Sequence, residues 1–144
     1  MVNVVLDSIS KALYTTFGTS YYYYVENIEQ NANLPCFTID VLNPLSRSVN
    51  RKDYYRTIPC VIHYFTNNKN TTVKECYSIG EQILECLEYL NIDGQLVRGE
   101  DMSYTMVDDV LQVFITYGFW TEKIQTPETK VEELIINDPS IVQT

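Results

Sequence analysis

Hydrophobic positions recur at helical spacing in two segments of the chain. Near the start, spacings of three and four residues place an apolar stripe on a helix predicted over residues 2–17, which Gly18 can close in a left-handed cap. The second helix is predicted to begin at Thr72, because Thr72 and Glu75 have the spacing of a capping box. The first stripe comprises Val2, Val5, Leu6, Ile9, Leu13 and Phe17, and the second comprises Val73, Cys76, Tyr77, Gly80, Ile83, Leu84, Leu87 and Leu90. The other side of the second helix is mainly acidic, and Asp93-Gly94 is expected to end the helical region.

Elsewhere the apolar residues alternate with polar ones, which is the pattern of strands with one buried face. The predicted strands are a short aromatic one at Tyr21–Val25 and longer ones at about residues 35–41, 54–65, 95–106 and 110–122. Asp108-Asp109 is predicted to form a tight turn between the last two. Pro59 lacks a backbone donor, so its strand is expected to bend or to lie partly at a sheet edge. The stretch between Asn43-Pro44 and Tyr54, rich in Ser, Asn and Arg, is interpreted as a loop.

These elements predict an α+β fold, with two helices packed on one face of a mainly antiparallel sheet of four to five strands. We assign residues 1–122 to this domain and residues 123–144 to an acidic C-terminal tail that follows a linker around Gln125–Glu128. Within the tail, Val131, Leu134 and Ile135 are at helical spacing but have no core of their own. We therefore expect Leu134 and Ile135 to dock on a hydrophobic groove, either on their own domain or on a neighbouring subunit.

Composition narrows the class of protein. A length of 144 residues suits one domain, and a formal net charge of -9 argues against a protein whose main task is gripping nucleic acid. No apolar run approaches the roughly 20 residues of a membrane span, and the first residues do not resemble a secretion signal. Four cysteines without a CxxC pair lie in apolar patterns, which favours buried thiols in a reducing compartment. We expect a soluble, unprocessed protein that is made in the cytosol.

The sequence offers no recognisable catalytic or cofactor site. His63, the single histidine, lies in an apolar strand without a GxSxG-like turn, and is interpreted as a structural residue with polar neighbours. Metal-binding spacings and phosphate-cradling glycine loops are missing as well. We therefore expect no enzymatic activity, no catalytic residues, no metal and no cofactor.

Two surface features remain as candidate interaction sites. Residues 46–56 carry a net charge of +3 in an acidic chain, because they contain four basic residues and one acid, Asp53. The basic residues are Arg47, Arg51, Lys52 and Arg56. This segment is either a soluble loop or a patch that contacts an acidic partner surface, including that of an identical subunit. In the run of four tyrosines, alternate side chains point to opposite sides, so Tyr22 and Tyr24 are candidates for either an interface or a half-exposed edge strand.

Two features resemble a known family: the order of elements and the stretch Leu34-Pro35-Cys36-Phe37-Thr38-Ile39. This stretch follows Val25-Glu26 and a polar loop containing Gln30. The chain is similar, over residues 1 to about 121, to tail terminator proteins of phages and phage-derived particles of Firmicutes. The shared features are structural residues rather than catalytic ones, and the tail has no counterpart in the resemblance.

The resemblance implies a subunit that forms a ring, expected to be a hexamer, at the head-proximal neck end of the tail tube. The ring would stop tube polymerisation and offer a surface to the head connector. Its expected partners are copies of itself, the tail tube protein, the sheath of a contractile tail and the head connector, while DNA would only pass through the lumen. Two alternatives stay open: another neck or tail-completion protein, and a soluble binding module or small enzyme using a cleft between the second helix and the sheet.

Overall fold

A computed structural model of the chain describes residues 2–26, 32–66 and 73–122, together with the backbone of residues 137–138 and 142–143. The elements are, in chain order, α1 (Val2–Phe17), a 3-10 turn (Gly18–Ser20), β1 (Tyr22–Val25), β2 (Cys36–Val41), β3 (Leu45–Ser48), β4 (Asp53–Phe65), α2 (Val73–Leu87), β5 (Tyr89–Ile92), β6 (Gln95–Val107), β7 (Val110–Glu122), β8 (Asn137–Asp138) and β9 (Val142–Gln143). The first helix, the start of the second helix and the two long C-terminal strands are confirmed to within one or two residues, whereas the second helix ends earlier than predicted.

Both helices pack on one face of the main sheet and enclose a single core. From α1 the stripe Val5, Leu6, Ile9 and Leu13 is buried, and from α2 the buried residues are Cys76, Gly80, Ile83 and Leu87. They meet the inward-facing residues of the three central strands, Phe37, Ile39, Ile58, Cys60, Ile62, Tyr64, Leu111, Val113, Ile115, Tyr117 and Phe119. The Tyr117 hydroxyl donates a hydrogen bond to the carbonyl of Leu87, so the one deeply buried phenol is satisfied at the end of α2.

The sheet is larger and less regular than the four to five strands expected. Its order is β1-β2-β4-β7-β6-β5, and β3 also pairs with β4, which makes seven strands. Neighbours are antiparallel except for β1 and β2, which are parallel. The fold class α+β is therefore correct, whereas the strand count was too low because two short strands were not predicted.

The first missed strand is β5. The apolar spacing that continues from Leu87 to Leu90 suggested a longer helix, but α2 ends at Leu87 and Leu90 lies in a strand. Asp93 (φ 54°) and Gly94 (φ 83°) both have positive φ, which is the backbone of a two-residue hairpin turn rather than of a helix end. The turn pairs β5 with β6, and Leu90 and Ile92 remain buried in the strand.

The second missed strand is β3, which lies in the segment interpreted as a loop. Its four residues are all exposed, so it has no alternation of apolar and polar positions to reveal it. It pairs antiparallel with the first part of β4, with Arg47 opposite Tyr55 and Ser46 opposite Arg56.

Pro59 lies where the pairing of β4 changes partner. On one side β4 pairs with β7 along most of its length, while on the other side β3 pairs up to Thr57 and β2 pairs from Cys60 onward. The carbonyl of Pro59 accepts a hydrogen bond from the Leu42 backbone at 2.8 Å on that second side. Because a residue's N–H and C=O point the same way in a strand, the missing donor faces this interruption, so Pro59 is at a local edge as expected.

Some predictions concern residues outside this description. They include the capping-box threonine Thr72, most of the polar loop before β2, and the tail residues Leu134 and Ile135. No helix within the described residues is both long and apolar enough to span a membrane.

Candidate functional site

The basic residues singled out from the sequence lie on the β3–β4 hairpin, residues 45–57, at one end of the sheet. Asn50 builds its turn: its side-chain oxygen accepts hydrogen bonds from the backbone N–H groups of Lys52 (2.7 Å) and Asp53 (2.8 Å), and its amide donates to the Asp53 carboxylate (3.1 Å). This arrangement leaves Arg51 and Lys52 exposed at the tip.

Arg47 and Arg56 are on opposite faces of the hairpin. Arg56 is half-buried; its Nε donates to the Thr121 hydroxyl at 2.9 Å, and its guanidinium carbon lies 5.5 Å from the centre of the Tyr54 ring. Arg47 is exposed and sits directly opposite Tyr55. Within residues 2–26, 32–66 and 73–122, none of the four cations lies within 4.0 Å of a carboxylate, so their charge is not neutralised inside the domain. The structure therefore places all four residues on one hairpin but divides them, with Arg47 and Arg56 on opposite faces and Arg51 and Lys52 at the tip.

The tyrosine run is divided between the two faces of β1 and its approach. Tyr21 and Tyr23 contact Phe37 on the core side, and the Tyr23 hydroxyl donates to the carbonyl of Gly18 at 2.8 Å. On the other side Tyr22 is 46% exposed, while Tyr24 is half-buried and its hydroxyl accepts a hydrogen bond from the backbone of Asn33 at 2.9 Å. Tyr22 is thus the freer of the two predicted interface tyrosines, on the outermost strand of the sheet.

His63 lies on the sheet face opposite the helices, where its polar neighbour is Asp40. Its Nδ1 is 3.8 Å from an Asp40 carboxylate oxygen, and its ring stacks on Phe65 at 6.2 Å. Burial raises the pKa of Asp40 above its ordinary value, and the nearby imidazole opposes that shift only in part. Thr38, which pairs with His63 on the neighbouring strand, is buried in the sheet.

The cysteines are held as protonated, packed thiols. All four are free, and Cys36, Cys60 and Cys76 are buried, whereas Cys86 is half-buried. Burial raises the pKa of each thiol, that of Cys60 to about 12. Because the thiolate is the reactive form, burial makes these residues poor nucleophiles at neutral pH.

The space between α2 and the sheet is filled by side chains. Ile83, Leu87 and Tyr117 have no solvent exposure there, so the cleft imagined for a binding module or small enzyme is occupied by core. An open groove of about 660 Å³ lies elsewhere, between α1 and β5, and is lined by both polar residues, such as Ser8 and Asn91, and apolar ones, such as Leu90. Across the part of the chain that the structure describes, no group of three or more His, Cys, Asp or Glu side chains could hold a metal ion.

An aromatic patch that was not predicted from the sequence lies on the face of the sheet away from the helices. Cross-strand pairing places Arg47, Tyr55 and Trp120 in one row, and the rings of Tyr55 and Trp120 meet edge to face at 5.1 Å. Gly118 makes this close approach feasible, because a Cβ there would lie 2.3 Å from the Tyr55 hydroxyl oxygen. The available signal was the alternation of β7, whose buried odd-numbered residues put Trp120 on the opposite face.

Comparisons with known proteins identify the family. The chain matches the sequence pattern of a family described as "Phage tail terminator protein" over residues 4–130. No curated protein sequence matches it. Among 27 matching solved chains, one whose description states no function is 10% identical, covers 88% of this chain and 98% of its own length, and superposes with a TM-score of 0.47. Since the family match spans most of the domain described above, the chain belongs to the phage tail terminator family, whose members are structural proteins of phage tails.

Proposed function

We propose that this protein forms a ring that caps the head-proximal end of a tail tube, stops tube polymerisation and provides the joining surface for the head connector. Membership of the tail terminator family over residues 4–130 is the observation that carries this proposal. By the same family resemblance, the ring is a hexamer and the phage tail is contractile. The protein acts by assembly and not by catalysis, which agrees with buried thiols and with an isolated His63–Asp40 pair.

The distribution of charge and sheet edges supports a head-to-tail ring. The exposed hairpin cations are on one end of the sheet, whereas the acidic residues Glu81, Glu85 and Glu88 lie along α2 and its end. A head-to-tail contact between complementary patches of neighbouring subunits generates a ring when the rotation closes. Among the described residues β3 pairs with β4, and all four of its residues are exposed, so this strand is accessible to another subunit.

The proposed partners follow from the position in the particle. The ring contacts the tube protein on one side, the head connector on the other and the sheath around it. DNA passes through the lumen without being gripped, because a ring of subunits that each carry -9 repels phosphate. Assembly takes place in the host cytoplasm, and the assembled protein lies at the neck of a virion or of a headless phage-like particle.

Native mass spectrometry of the purified chain, with and without its tube protein, tests this function. We expect a closed ring, alone or once tube ends are added, and shorter or arrested tubes as the subunit concentration rises. Tubes that elongate unchanged in its presence would contradict the terminator role. If the chain instead bound the head connector and ignored tube ends, it would be another neck protein.

A further inference from the structure

An exposed apolar groove on the sheet face away from the helices lacks a cover within the described residues. Trp120, the chain's one tryptophan, is 55% exposed on one side of it, and Leu96 is 73% exposed on the other. The groove has a volume of about 410 Å³. Apolar area left in water costs on the order of 25 cal/mol per Å², so two large neighbouring side chains at this exposure favour an occupant.

The charges around the groove select the kind of occupant. Arg98 borders the groove and lies 3.6 Å from Glu88, and Glu100 also lines the groove, so these three side chains together carry one net negative charge. Arg47, at the far end of the row that contains Tyr55 and Trp120, has no carboxylate within 4.0 Å in the described residues. A segment with aliphatic side chains against Trp120 and Leu96, and with an acidic group on the Arg47 side and away from Glu100, would match this surface.

The chain itself contains such a segment a short distance beyond the groove. Residues 131–136, Val-Glu-Glu-Leu-Ile-Ile, combine four aliphatic side chains with two carboxylates. We propose that this segment docks on the groove of its own subunit, with Leu134 and Ile135 against Trp120 and Leu96 and with its glutamates toward Arg47. The tail then covers the exposed apolar surface of Trp120 and Leu96 on that face of the described domain.

The short linker between β7 and residues 131–136 favours docking within one subunit. β7 ends at Glu122, two residues after Trp120, and eight residues, 123–130, link it to the segment. Fully extended, eight residues span about 26 Å, which is ample for the chain to fold back. A tethered segment also binds at a high effective concentration and without the entropy cost of bringing two molecules together. The proposal concerns the isolated subunit, so it does not depend on the terminator function.

The fluorescence of Trp120 tests the docking directly, because no other tryptophan contributes. We compare the full chain with a chain truncated after Thr126, each checked by circular dichroism for the same folded domain. Truncation should shift the emission maximum to longer wavelength and increase quenching by acrylamide. Adding a synthetic peptide of residues 127–144 to the truncated chain should reverse both changes. Identical emission and quenching in the two chains would overturn the proposal.

Variants of the full chain locate the contact. Leu134→Glu combined with Ile135→Glu should reproduce the truncated spectrum, whereas Val142→Glu, an apolar-to-acid change outside the segment, should not. Arg47→Glu should shift the emission in the same direction as truncation, while the same charge change at Lys11 on α1 should have no effect. The proposal fails if the control variants change the spectrum as much as the test variants do.

Dilution distinguishes docking within a subunit from exchange between subunits. Emission of the full chain should stay constant when the protein is diluted over a wide concentration range, because the segment is tethered. A red shift on dilution would show that a second copy supplies the segment, and this outcome would overturn the assignment to the same chain.

Discussion

At the scale of single residues, burial explains the titration behaviour of the groups that could have suggested chemistry. Asp40 and the four cysteines all have pKa values raised by desolvation, which is the shift expected of groups that fold into apolar surroundings. The carboxyl is kept close to His63 but not close enough for a strong hydrogen bond, at 3.8 Å. These pKa shifts arise from packing, and their consequences for stability and reactivity can be measured.

The first prediction concerns pH and Asp40. Because folding raises its pKa above 3.8, the native state holds this proton more tightly than the unfolded state does. The resulting contribution to stability is present below pH 3.8 and is lost as the pH rises through the folded-state value. We therefore expect the stability of the native chain, relative to Asp40→Asn, to fall with rising pH over this window in urea titrations.

Since His63 is coupled to Asp40, the same comparison is made in a His63→Gln background. That background substitution alone should cost at most about 1 kcal/mol. A relative stability that increases with pH would show that the folded-state pKa of Asp40 is lowered and not raised.

The second prediction concerns the thiols. In the native protein they should react slowly with a maleimide at neutral pH, with the half-buried Cys86 modified first and Cys36 and Cys60 last. Mass spectrometry of trypsin fragments after timed labelling measures the order. Unfolded protein in urea, in which all four should label quickly, is the control, and fast native labelling of Cys60 would contradict the burial.

At the scale of elements, the long β6–β7 pair depends on a glycine at a close approach. Gly99 lies on the core side of β6, opposite Tyr117, and a Cβ there would be 2.3 Å from the Ile115 Cδ1 atom. The pairing is also shifted between Glu100 and Ser103, where a bulge bends the strand. The strand can approach β7 at this point only because the side chain is absent.

Replacement of Gly99 by Ala should therefore destabilise the protein. Overpacking of this kind typically costs about 1–3 kcal/mol, because Ile115 or the strand must move. Chemical denaturation of Gly99→Ala, with the exposed Ser103→Ala on the same strand as control, measures the effect. Equal midpoints for the two variants would mean that the core accommodates the methyl group without strain.

At the scale of the whole molecule, the unequal distribution of charge is the feature most relevant to assembly. The chain is acidic overall, yet the β3–β4 hairpin concentrates cations that make no salt bridge within the described residues. Exposed charges of this type contribute little to the stability of a monomer but can direct how subunits associate. Their effect should therefore appear in assembly and not in folding.

Reversal of two cations at the hairpin tip tests this separation. Arg51→Glu combined with Lys52→Glu should leave the melting temperature of the subunit nearly unchanged and should reduce ring formation and tube capping. The contact should also weaken as salt increases. Lys11→Glu combined with Lys74→Glu, on the exposed sides of α1 and α2, serves as the matched charge change. Normal particles from the tip variant would remove the hairpin from the interface.

The sequence by itself determined the fold class, both helices and the long strands, because each has one face that must leave water and therefore a regular apolar period. It also determined that the basic residues lie close together, since they are neighbours in the chain. β3 and β5 were decided by tertiary structure: one is exposed on all four residues, and the other continues the apolar spacing of α2. The Arg47–Tyr55–Trp120 row likewise depends on the pairing of three strands, because register between distant segments is set by packing and cannot be read from any local pattern.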